Sequence, residues 1–166
     1  YKTEDGEIFT GKERGVKQLK AHEWELRTDE GRLLRPVPTP ETKNPSLASV
    51  YALSKYDQER LCLLIGGAYN IPTVALRFFN VYGPHQALSN PYTGVAAIFA
   101  SRFMNGNPPL IFEDGAQLRD FVSVEDVVRA NLLAMESSQA DGMALNIGSG
   151  EPISIREVAA ELARAM

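Results

Sequence analysis

Two textures divide the chain. From about Ser46 onward apolar residues recur with regular periods; before it they are scattered. Over Ala48–Ala68, Leu53, Tyr56, Leu64 and Ala68 fall at helical spacing behind a Pro/Ser start, and Gly66, Gly67 and Pro72 bracket the end, which predicts a helix. Thr73–Phe79 is a near-continuous apolar run, the pattern of a strand covered on both faces. Asn80–Pro84 reads as a loop, Val95–Met104 as a helix, and Pro109–Phe112 as a short strand before an Asp114–Gly115 turn. A further strand ends at Phe121–Val122. Ser123 with Asp126 forms a helix start running to about Met135. Ala144–Ile147 is a strand with Gly148–Gly150 as its exit, and Ser154 with Glu157 caps a last helix. Strands alternating with helices predict an α/β fold with a doubly wound parallel sheet.

The first 50 residues read differently. They hold nine basic and nine acidic side chains, three aromatics (Tyr1, Phe9, Trp24), and frequent Gly and Pro. Such a segment cannot bury enough apolar surface to form its own core. It is expected to be an arm or insertion over residues 1–45 that packs on something else, with Trp24 as its apolar pin and short strands near Trp24–Leu26 and Leu33–Val37.

Composition narrows the function classes. The net charge of −4 argues against a nucleic-acid protein held by a basic face. No apolar run approaches the ~20 residues of a membrane helix. The lone Cys62 excludes an internal disulfide and a thiolate zinc site, and reads as a helix-packing thiol. His22 and His85 are too few for a metal centre, so no metal is expected.

Tyr51 and Lys55 stand four apart on the first predicted helix and so share a face. An ammonium beside a phenol favours the phenolate. Such a pair could take a proton from a sugar hydroxyl while a hydride leaves for a nicotinamide, and lysine's three donors could hold the cofactor ribose. Alone, the spacing equally fits a surface helix with a half-buried tyrosine and a solvated lysine.

The surrounding blocks add a likeness. Ser49–Lys55 (Ser-Val-Tyr-Ala-Leu-Ser-Lys) resembles the active-site helix of the extended short-chain dehydrogenase/reductases. Leu76–Pro84 resembles that family's substrate loop, Asp114–Val122 (followed by Val124–Val127) its nucleotide-diphosphate clamp, and Asn146–Gly150 its late glycine loop. The blocks fall in order and cover residues 46–158. The family comprises NAD-dependent epimerases and dehydratases of nucleotide-sugars. Gln86–Val95 and the Pro36–Glu41 run look like its 4-epimerase branch, the dTDP-rhamnose 4-epimerase-like enzymes above all.

The resemblance implies a partial Rossmann-type sheet joined to the small C-terminal substrate-binding region. Residues 46–80 would end the NAD-binding domain, and 81–166 would be mainly substrate-binding with some returning Rossmann elements. It implies Tyr51 as acid/base and Lys55 as its partner and ribose ligand, with Phe78 beside the nicotinamide. Asn80 and Arg119 would hold the substrate diphosphate, and Phe112 would lie against the base. A guanidinium also suits a diphosphate on its own chemistry, being bidentate and permanently charged. Each has a plainer alternative: core Phe for Phe78 and Phe112, a polar turn for Asn80, and an ion pair with Asp120 or Glu113 for Arg119. The likeness further implies NAD as cofactor, a nucleotide-diphosphate sugar as substrate, a cytoplasmic location and a homodimer when complete.

Three departures shape the expectation. Thr28–Glu30 matches the Thr-Asp-Glu of the dehydratases, but its polar flanks and following Gly31 suit a surface turn better. No strand bearing the family's catalytic Ser or Thr precedes Tyr51. The glycine-rich dinucleotide fingerprint is absent: Gly148–Gly150 lacks its third glycine. Ser123, where relatives often have His, is a smaller departure. The expected function is NAD-dependent epimerisation at C4 of a nucleotide-sugar, with about half of the enzyme lying outside these residues. The alternatives are a 4,6-dehydratase or reductase of the same family, a regulatory dinucleotide-binding relative, or a non-catalytic nucleotide-sugar-binding module.

Overall fold

In the structure, a computed structural model describing residues 1–88 and 94–166, the apolar run beginning at Thr73 serves two pairings in succession. Its first part, β1 (Ala75–Phe78), pairs in parallel with β4 (Ala144–Ile147), Ala75 opposite Ala144 and Phe78 opposite Ile147. After the single residue Phe79 the chain continues as β2 (Asn80–Tyr82), parallel to β3 (Leu118–Ser123), with Asn80 opposite Phe121. The expected loop at Asn80–Pro84 is therefore a strand in its first three residues. Its hydrogen-bonding partner lies some forty residues away, where local patterning cannot show it.

The helices are α1 (Val16–Lys20), α2 (Val50–Tyr69), α3 (Val95–Met104), α4 (Val124–Glu136) and α5 (Ile155–Ala165). A last short strand, β5 (Pro152–Ser154), leads into α5. The polar starts work as read. Ser49 accepts the Ala52 N–H, Ser123 accepts that of Asp126, and Ser154 with Glu157 forms a complete capping box. Asn70 closes α2 in the left-handed region, at φ 54°. The expected strand at Pro109–Phe112 does not form; four residues between prolines and a turn find no ladder partner among the described residues.

Two compact units make up the chain. One comprises residues 39–98 and 120–152. Its buried side chains include Ala97, Val122 and Val127. Here α2 lies so close to the Ile71–Thr73 segment leading into β1 that a Cβ on Gly66 would lie 2.2 Å from Thr73 Oγ1, which explains a glycine near the end of that helix. The other unit comprises residues 1–38, 99–119 and 153–166, in which Leu34, Phe99, Val158, Ala159 and the polar Thr3 are buried.

The polar arm folds within that second unit as a set of antiparallel bridges rather than as strands. Lys2 pairs with Ile8 and with Arg35, and Arg27 with Leu33. Too few apolar positions alternate to extend any of them. Residues 1–38 share their unit with 99–119 and 153–166.

Candidate active site

Within the unit built on β1, a cavity of about 950 Å³ is lined by Tyr51, Lys55, Glu59, Phe78, Asn80 and Gln86, among others. Its size suits a drug-sized ligand or part of a larger one. Helical spacing places Tyr51 and Lys55 on one side of it. The Lys55 ammonium lies 5.8 Å from the centre of the Tyr51 ring and also donates to Gln58 Oε1 at 3.3 Å. Tyr51 keeps about half of its surface exposed, 55%.

Phe78 and Asn80 arrive from the changeover between the two pairings. Phe78 ends β1 and is 44% exposed, so it is not a core phenylalanine. Asn80 opens β2, and its Nδ2 donates to the main-chain oxygen of Asp120 at 2.8 Å, which fixes the amide's orientation. A second cleft, of about 650 Å³, shares Phe78 but none of the other three.

Asp120, which the sequence offered only as an ion-pair partner for Arg119, holds the glycine loop instead. Its carboxylate accepts the Ser149 N–H at 2.7 Å, the Gly150 N–H at 2.8 Å and the Ser149 hydroxyl at 2.9 Å. A Cβ on Gly148 would meet Phe79 Cδ2 at 2.5 Å and Asp120 Oδ2 at 2.8 Å. The Gly148–Gly150 loop is thus bound to a carboxylate of its own chain, and the N–H groups of Ser149 and Gly150 are not offered to a phosphate. The signal was an acidic residue flanked by Phe121–Val122 inside a strand.

Arg77 and Glu41 were missed. Arg77 makes two 2.7 Å bonds to the Glu59 carboxylate and donates to the Glu41 main-chain oxygen at 3.0 Å. Glu41 Oε1 accepts the Asn146 N–H at 3.0 Å, and Asn146 Nδ2 donates to Thr39 O at 2.8 Å. The guanidinium holds the Glu59 carboxyl below the usual carboxylate range, and the Asn146 N–H does the same for Glu41. These bonds tie residues 39–41, shortly before α2, onto β1 and β4.

In the other unit, Arg119 and Phe112 stand at the surface. Phe112 is 71% exposed, which removes core packing as its role. Arg119 is exposed and donates to the Leu118 main-chain oxygen at 2.7 Å. Neither carboxylate expected to neutralise it does so, because Glu113 is paired with Arg14 and Asp120 with the glycine loop.

Other expectations fare unevenly. Thr28–Glu30 forms an exposed turn closed by the Gly31 N–H to Thr28 O, with Asp29 paired to Lys12 at 2.6 Å. Trp24 carries the Arg14 guanidinium 5.9 Å from its ring centre, with His22 edge-on at 5.5 Å. Cys62, read as a helix-packing thiol, is exposed instead and belongs to the lining of the larger cavity. Ser89–Thr93, within the stretch resembling the 4-epimerase branch, lie outside the described residues. Among the described residues no helix is long and apolar enough to cross a membrane.

Residues 33–148 match the model of the NAD dependent epimerase/dehydratase family. The chain belongs to that family. A dTDP-L-rhamnose 4-epimerase of Burkholderia thailandensis is 36% identical over 156 residues, covering 93% of this chain and 42% of that protein. A UDP-glucose 4-epimerase of Thermotoga maritima, solved with UDP-glucose, is 40% identical at a TM-score of 0.71, over 79% of this chain and 41% of the other. A UDP-glucuronic acid 4-epimerase of Bacillus cereus, solved with UDP-glucuronic acid and NAD, is 30% identical at a TM-score of 0.69, over 78% and 40%. The chain spans about two-fifths of the length of these relatives.

Proposed function

We propose that the protein carrying this chain is an NAD-dependent epimerase that inverts C4 of a nucleotide-diphosphate sugar, with Tyr51 as its acid/base. The observation that carries the reading is Tyr51 beside Lys55 in one cavity with Phe78 and Asn80. The family match and the 4-epimerase relatives support it.

The residues fit one end of the dinucleotide. The Lys55 ammonium offers donors to ribose hydroxyls and Phe78 an exposed apolar ring beside a nicotinamide. The Gly148–Gly150 loop does not serve as a cradle for the diphosphate end, since Asp120 occupies it. NAD, when bound, would supply the acceptor and later donor of the C4 hydride.

The chain's own residues handle the proton and the substrate. The Tyr51 phenolic oxygen takes the proton of the C4 hydroxyl as the carbinol is oxidised and returns it after the keto sugar has turned over. Lys55 stabilises the charge on that oxygen. Asn80 and Arg119 hold the diphosphate and Phe112 stacks on the base; each rests on its chemistry and on the family likeness, not on a shared geometry. A homodimer belongs to the same proposal, since α2 exposes Leu61, Leu64, Ile65 and Tyr69. So does a cytoplasmic location, where a free thiol such as Cys62 stays reduced. The dehydratase reading is weaker, because its Thr28–Glu30 carboxyls sit on an exposed turn.

The test is an isotope experiment on the complete protein with NAD and nucleotide-sugars deuterated at C4. Hydride transfer and return predicts C4 inversion with the deuterium kept. Inversion with loss of deuterium to solvent, or no inversion of UDP- or dTDP-sugars, would overturn the reading.

A further inference from the structure

In the unit formed by residues 1–38, 99–119 and 153–166, a two-pronged ion pair joins the arm to the turn that carries Phe112. Arg14 presents both terminal nitrogens to Glu113, NH1 to Oε2 at 2.8 Å and NH2 to Oε1 at 2.7 Å. NH1 also donates to the Trp24 main-chain oxygen at 3.2 Å, and the guanidinium lies 5.9 Å from the Trp24 ring centre. The side chains are largely withdrawn from solvent, 25% exposed for Arg14 and 22% for Glu113. Other ion pairs of this unit, such as Lys12 with Asp29, lie far more open to water.

Glu113 needs such a hold. Phe112–Gly115 is a four-residue turn closed by the Gly115 N–H to Phe112 O at 3.2 Å. Its first central residue, Glu113, has φ of 57°. Turns with positive φ at that position ordinarily place Gly, Asn or Asp there, since a longer side chain crowds the backbone. Gln117 Nε2 supports the turn by donating to Glu113 Oε2 at 2.9 Å and to Phe112 O at 3.3 Å. Arg156 holds its far side through the Asp114 main-chain oxygen, and the Arg156 N–H bonds Gly115 O at 2.9 Å. The strained residue thus sits immediately after the exposed Phe112 ring, anchored by a residue 99 positions earlier.

We propose that Arg14 is a positioning residue of the nucleotide-base subsite: its two-pronged grip on Glu113 keeps the Phe112–Gly115 turn in the conformation that presents the Phe112 ring. The inference rests on the reading of Phe112 as the base-stacking residue. It gives the arm a role in binding, apart from the chemistry at Tyr51. Because the arm acts on the base end alone, losing the grip raises KM and leaves kcat unchanged.

The experiment titrates UDP and dTDP calorimetrically into the complete protein, as wild type and as Arg14→Ala, Arg14→Lys, Phe112→Ala and the double variant Arg14→Ala/Glu113→Gly. Amide exchange of residues 112–117 and steady-state KM and kcat are followed in parallel. Releasing one strained backbone position is expected to weaken binding about tenfold in Arg14→Ala. Arg14→Lys, with a point charge in place of a fork, recovers only part of this. The double variant recovers most of the affinity, because glycine adopts the positive φ without a clamp. Faster amide exchange in Arg14→Ala with unchanged UDP and dTDP affinity overturns the proposal. So does a double variant that binds as weakly as Arg14→Ala, since the arm is then structural only. If Phe112→Ala also binds UDP and dTDP normally, the base-stacking reading itself fails; if Phe112→Ala is weakened while Arg14→Ala is not, only the clamp fails.

Discussion

The guanidinium of Arg77 and the carboxylate of Glu59 are joined by two N–H···O bonds of 2.7 Å, so β1 and α2 are fixed to each other one turn beyond Lys55. Glu59 is only 13% exposed and Arg77 27%. A fully exposed pair contributes ~0–1 kcal/mol and breaking a buried one costs ~3–5. Glu59→Gln, which keeps the size but removes the charge, is expected to destabilise by about 2 kcal/mol. Urea midpoints of the two proteins check this; equal midpoints would make the pair incidental.

The same pair sets a pH dependence. Arg77 lowers the folded-state pKa of Glu59 below its ordinary 4.5, and Arg14 does likewise for Glu113. A carboxyl depressed on folding stabilises the fold above its unfolded value, and that contribution disappears as pH falls through the folded value. Stability is therefore expected to fall on acidification below about 4.5, and Glu59→Gln to flatten that fall. Urea midpoints across an acidic pH series read it directly; identical slopes for the two proteins would contradict the assignment.

Gly148 is a second structural test. Its missing Cβ would overlap Phe79 and the Asp120 carboxylate. Gly148→Ala is expected to cost ~1–3 kcal/mol and to speed amide exchange at Ser149 and Gly150. An alanine tolerated without loss would mean that Asp120 does not fix this loop.

With the loop N–H groups of Ser149 and Gly150 bound to Asp120, the 166 residues by themselves are expected to purify without NAD and to show no epimerase turnover. Absorbance and mass spectrometry of the released small molecules give the answer, and stoichiometric NAD would contradict it.

The helix bearing Tyr51 and Lys55 was legible because its chemistry is local: a four-residue spacing, a Ser cap, a Gly and Pro end. The strands around Thr73 and Ala144 were legible as apolar runs. What the sequence hid were long-range partners. Asn80 looked like loop because its ladder partner Phe121 lies beyond any local window. Pro109–Phe112 looked like strand because four apolar residues satisfy the pattern without showing whether a ladder exists to join. The five-residue α1 is too short to leave a period. Arg14 with Glu113, and Asp120 with Ser149, pair charges and dipoles across 99 and 29 residues, where spacing carries no information.

The central claim rests on one phenolic oxygen. Tyr51→Phe removes it while leaving a ring that is 55% exposed and therefore contributes little to packing. The decisive measurement is kcat for C4 epimerisation by the complete Tyr51→Phe protein, with its urea midpoint measured alongside. Loss of a general acid/base predicts a fall of about 10²–10⁴-fold with the midpoint unchanged. Turnover close to wild type in the folded variant would contradict the account.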